Sequence, residues 1–151
     1  MQTNQPDKAI AAFQRVLFFG NRDFQQKVFP NIAECYFLMG DYSSAARYYD
    51  LAYFAAKTDT AKTNFTFKKI ESLIREKSFL FAQVEILNLP DDLTHSLTKK
   101  KNLYEGIIYY GLGEYEDSKG SFLNLVSEEK QKKAVLESFS KLNKIKKTPI
   151  G

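Results

Sequence analysis

The chain has 151 residues but only one cysteine, one histidine and no tryptophan. A lone Cys35 excludes an internal disulfide and leaves the redox compartment open. A metal or catalytic role for His95 would need further His or Cys ligands, and the chain has none. His95 therefore reads as a surface or capping residue, and Cys35 as a small buried hydrophobe. Carboxylates such as Glu34, Glu71 and Glu76 fall singly at helical positions, with no pair in a context for acid–base work. No enzyme activity, cofactor or metal is expected. Seven glycines and four prolines are too few for a turn-rich sandwich of short strands, so helices are favoured. No run approaches eighteen apolar residues, so nothing should span a membrane. The first ten residues, MQTNQPDKAI, are polar and lack a signal-peptide core.

What is present is an ordinary content of apolar (44%) and charged (26%) residues, with thirteen Phe and nine Tyr. The net charge of +4 is uneven. Residues 1–98 hold 11 basic and 11 acidic side chains; residues 99–151 hold 11 and 7. The lysines cluster at 99–101, 130–133 and 144–147. An excess this small reads as solvated helix surface, and nucleic acid is not the expected partner. Binding to nucleic acid or an anionic surface through this basic third stays as an alternative function.

Two stretches share a spelling. YFLMGDYSSAARYYDLA at 36–52 returns as YYGLGEYEDSKGSFLNL at 109–125. Aligned on Gly40 and Gly113, Ala33 matches Gly106, Tyr36 matches Tyr109, and Tyr42 matches Tyr115. Beyond the turn, Ala45 matches Ser118, Tyr49 matches Phe122, and Ala52 matches Leu125. Midway, at Lys77, the same offsets give Ile70, Leu73, Phe79, Ala82, Ile86 and Leu89. The anchors lie 37 and 36 residues apart, a period that marks stacked helical hairpins. A partial copy opens the chain, with Ala9, Phe13 and Val16 matching Ala45, Tyr49 and Ala52. Small residues let antiparallel helices approach, and large ones fill the space beside them. Gly40 and Gly113 supply the left-handed backbone that ends the first helix of a pair. Asp41 and Glu114 suit the start of the second. The GLG at 111–113 lacks the third glycine and the preceding strand of a phosphate loop.

This pattern resembles the tetratricopeptide repeat (TPR) family: small residue, large residue, Gly-Asp-Tyr turn, Ala, aromatic, Ala. The spacing is two to three residues longer than the family's. Phe29, Thr66 and Asn102 stand where it usually has an early Trp, and Lys57 replaces its closing Pro. The resemblance implies an all-α, right-handed α-solenoid of about three and a half repeats plus a capping helix. The expected division of residues 1–146 is a partial repeat at 5–22, repeats at 23–59, 60–96 and 97–129, and a capping helix at 130–146. Residues 147–151 form a tail. The helix map runs 6–18, 23–39, 42–56, 60–77, 79–88, 92–112, 115–127 and 130–145, with Pro30 kinking the second helix or marking its start. In the last segment Val135, Leu136, Phe139 and Leu142 should face inward, and Lys141 and Lys144 outward. An uncapped start and a capped end imply a piece of a longer chain. Such a chain would be soluble, cytoplasmic if Met1 is its natural start, and an envelope or periplasmic component otherwise.

The resemblance also implies a function, a protein–protein interaction scaffold whose first helices line a concave groove for a partner peptide or protein. An accessory repeat domain of an envelope or assembly protein is the alternative. Carried over by position, the lining is Lys27, Pro30, Glu34 and Phe37, then Asn64, Phe67, Lys68, Glu71, Ile74 and Arg75. Lys100, Leu103, Tyr104, Ile107 and Tyr110 complete it. The Lys/Asn clamp by which some relatives hold acidic chaperone tails is not reproduced: of the corresponding Pro30, Glu34, Lys68, Lys100 and Tyr104, only Lys100 fits. Chaperone-tail binding is therefore not expected.

Overall fold

The computed structural model describes residues 5–20 and 22–147, and these are helical with no strand among them. Seven α-helices follow one another: α1 (Pro6–Phe19), α2 (Gln25–Leu38), α3 (Tyr42–Ala55), α4 (Asp59–Arg75), α5 (Phe79–Leu87), α6 (His95–Leu112) and α7 (Tyr115–Lys147). A single 3-10 turn, Arg22–Phe24, leads into α2. The larger helix–helix contacts run between consecutive elements, and α4 also touches α6.

Local chemistry explains most boundaries. Pro6 opens α1, where a missing N–H costs nothing. Asp41, Thr58 and Thr94 cap α3, α4 and α6, their side-chain oxygens accepting from the backbone N–H of Ser44, Ala61 and Leu97. Pro30 sits inside α2 without ending it. The Asn31 side-chain amide donates to the Lys27 carbonyl at 2.6 Å beside this interruption.

The turns between α2 and α3, α4 and α5, and α6 and α7 share one geometry. Gly40 (φ +81°), Lys77 (φ +64°) and Gly113 (φ +81°) are the left-handed residues among those described. Each turn closes with the same pair of bonds, from Asp41 N–H to Tyr36 O and Gly40 N–H to Phe37 O in the first. Ser78 to Leu73 with Lys77 to Ile74, and Glu114 to Tyr109 with Gly113 to Tyr110, repeat it. These are Schellman closures, which satisfy helix-end carbonyls. The middle turn keeps this shape although its glycine is gone.

Two of the positions matched by sequence, those that face each other across each turn, also bury alike. Ala33, Ala45, Ile70 and Ala82 are fully buried, and Gly106 and Ser118 nearly so. Ser118 Oγ donates to the Gly106 carbonyl at 2.8 Å, and the Phe122 ring lies over the face of Gly106 where a Cβ would stand. The cores form around Ile10, Val28 and Ile32; around Ala33, Ala45 and Tyr49; and around Phe67, Ile70, Ala82, Ile86, Tyr104 and Ile108.

Three readings need correction. The break placed between 127 and 130 does not exist, because VSEEKQKK contains neither glycine nor proline and is rich in helix formers. Segment 130–146 is thus part of α7 rather than a separate capping helix. α6 spans 18 residues, and Lys99 near its start pairs with Glu129 of α7. At 1.5 Å per residue the rest of the 33-residue α7 runs past the end of α6. Beyond Leu125 every α7 residue with a described side chain is exposed, Leu136 and Lys141 included. The side chains of Val135, Phe139, Leu142 and Lys144, and residues 148–151, lie outside the described set. Finally, Val16 and Phe122 are exposed where Ala52 and Tyr49 are buried. α1 packs chiefly on α2, and α7 chiefly on α6, so among the described residues neither is covered by a helix on its far side.

Candidate functional site

The first helices of the three hairpins, α2, α4 and α6, exchange side-chain contacts in series. From α2 to α4, Lys68 Nζ stands 4.0 Å from Glu34 Oε2, and the Arg75 guanidinium lies 5.7 Å from the centre of the Phe37 ring. From α4 to α6, the Phe67 and Tyr104 rings pack at 6.2 Å, with Lys100 Nζ over both at 5.5 and 5.7 Å. These contacts bring about half of the sequence-derived lining together.

The fifteen residues divide by exposure. Lys27, Asn64, Arg75, Leu103 and Tyr110 are exposed; Pro30, Glu34, Phe37, Lys68, Glu71, Lys100 and Ile107 are half-buried, as is Ile74. Phe67, 1% exposed, is core and cannot touch a partner. Tyr104 is 9% exposed and forms the floor of the face rather than its surface. Both lie where α6 packs against α4. None of the fifteen lines the cleft of about 400 Å³ bounded by Tyr53, Asp59, Thr63, Pro90, Leu93 and Thr94.

The two acids of the face are held by tyrosines. Tyr49 of α3 is buried, and its hydroxyl donates to Glu34 Oε2 at 2.6 Å. Burial first, then the hydrogen bond and charge of Glu34, push the Tyr49 hydroxyl far above its ordinary pKa. Burial and the adjacent Glu71 carboxylate push Tyr104 up to about 12. Both phenols therefore stay protonated as donors at neutral pH. The cations are held differently: among the described residues Arg75 and Lys100 contact ring faces and no carboxylate within ion-pair range. The neighbouring Lys99 is taken by Glu129.

Sequence reasoning placed Tyr49 in the core but missed its polar end, because its partner lies fifteen residues back across a helix crossing. It also missed a recurring aromatic pair across the turn. Phe37 meets Tyr42 edge-on at 5.1 Å, and Tyr110 meets Tyr115 at 5.4 Å. The signal was in the alignment, since both pairs occupy matched positions. His95 is the exposed first residue of α6, whose cap is Thr94. Cys35 is half-buried, its thiol pKa raised by burial and then by Glu34.

Among the described residues no cluster of three or more His, Cys, Asp or Glu could hold a metal ion. No described helix is long and apolar enough to cross a membrane. No family of known proteins, no curated protein and no solved structure matches this chain.

Proposed function

We propose that the chain is a right-handed superhelix of TPR-like hairpins and that it works as a non-enzymatic scaffold, holding a partner peptide or protein along α2, α4 and α6. Support for the repeat comes from the left-handed turn that recurs at Gly40, Lys77 and Gly113. The observation that carries the function is the state of the cations on that face. Arg75 and Lys100 lie over aromatic rings, with no carboxylate partner among the described residues, beside the exposed apolar side chains of Leu103 and Tyr110. A cation over a ring is pre-positioned yet keeps its hydrogen-bonding capacity for a ligand. Exposed Tyr and Arg are the residue types that dominate binding energy at interfaces. A preformed face also lowers the ordering cost of binding.

Selection of peptides from a random display library tests this reading. Selected peptides should lose at least tenfold in affinity with Tyr110→Ala and with Arg75→Glu, while helix content by circular dichroism stays unchanged. Phe67→Ala should instead lower stability, because that ring is core. If no peptide is selected, or if those selected ignore both surface variants, the proposed face is not the binding site.

A further inference from the structure

α5 is the shortest α-helix among the described residues, and seven of its nine side chains are apolar. Ala82 and Ile86 are buried against the core, which accounts for one face. On the other, Leu80, Phe81, Val84 and Leu87 are 66, 71, 55 and 81% exposed. Apolar side chains grouped on one helix face are ordinarily covered. These four side chains leave on the order of 500 Å² of apolar surface in water, toward the top of what a monomer usually shows. This surface is separate from the face formed by α2, α4 and α6.

We infer that a second copy of this chain covers α5, through an antiparallel α5–α5 contact about a two-fold axis beside Val84. Three observations select that occupant. Leu80, Val84 and Leu87 are spaced four and then three residues apart, the seam of paired helices. A two-fold axis near Val84 sets Leu80 of each copy on Leu87 of the other, so the patch complements itself. The stripe also carries no charge to recruit an acidic or basic partner. Gln83 is neutral, and the one acid within the helix, Glu85, is bound to Lys69 Nζ at 2.8 Å. The side chains of two such stripes meet without charge repulsion between them. Face to face they bury on the order of 1,000 Å² in total, the lower bound for a specific interface and the size of a weak, micromolar one. Beside Val84 and Leu87 lies a hollow of about 160 Å³, walled by Gln83, Ile86, Glu105, Ile108 and Tyr109, whose apolar side receives an aliphatic side chain of the facing copy.

Sedimentation equilibrium from low to high micromolar concentration tests this. The chain should sediment as a dimer, and Val84→Glu should raise the dissociation constant about a hundredfold with helix content unchanged. Val84→Cys in a Cys35→Ser background should form a disulfide-linked dimer on mild oxidation, whereas Leu38→Cys, exposed on α2, should not. A monomer throughout the range would overturn the inference. So would a dimer indifferent to Val84→Glu, or equal cross-linking at positions 84 and 38.

Discussion

Lys77 holds a backbone angle that glycine adopts freely and other residues adopt at a cost of about 1–2 kcal/mol. Lys77→Gly should therefore raise stability by about 0.5–1 kcal/mol, the relief being partly offset by the freer unfolded chain. Gly40→Ala tests the same physics in reverse. No atom stands within 4 Å of the added methyl, so the expected loss of about 1 kcal/mol is backbone strain alone. Urea denaturation of both variants measures these changes. Tyr104 offers a test through pH. Its folded pKa of about 12 lies above the ordinary phenol value of 10. Its contribution is fully present below pH 10 and is lost as pH rises from 10 toward 12. Tyr104→Phe should flatten that alkaline decline by on the order of 2 kcal/mol, read from unfolding curves at successive pH values.

At the scale of the element, caps and turn residues made the starts and stops of the helices legible from sequence. Even the middle turn could be placed by spacing, with lysine where a glycine belongs. What could not be seen was continuity: nothing in the segment 115–147 punctuates it, and a change of role was mistaken for a change of helix. The crossings were readable because small residues recur there. Ala45 is fully buried beside Ala33 and Tyr49, so Ala45→Leu should cost about 1–3 kcal/mol in thermal or chemical denaturation. The polar link between hairpins was not readable. Lys69 of α4 reaches Asp50 of α3 at 2.9 Å and Glu85 of α5 at 2.8 Å, and both acids outweigh burial in raising its pKa. Lys69→Met would leave those acids without their shared cation, at a cost of about 1–3 kcal/mol. Adding Glu85→Gln should recover part of it, and a double-mutant cycle measures how much.

For the whole molecule, the sequence was enough to anticipate an all-helical fold, whose larger contacts run from each element to the next. The candidate face was legible only in outline. Position within a repeat identifies which helices share a side, but not how far a neighbour closes over them. Hence Arg75, Leu103 and Tyr110 emerged at the surface while Phe67 sank beneath α6. The hydroxyl of Tyr49 escaped notice for a related reason, since pairing across a crossing depends on depth as well as register. Whole-molecule geometry also separates length from durability. Helical segments that lack tertiary cover are marginal in water, so the amides near the end of α7 should trade deuterium within the earliest time points. Those of Ala82 and Ile86, in the nine-residue α5, should hold theirs far longer. The longest helix would then be the first to open, although circular dichroism alone would count it as the most ordered part of the fold.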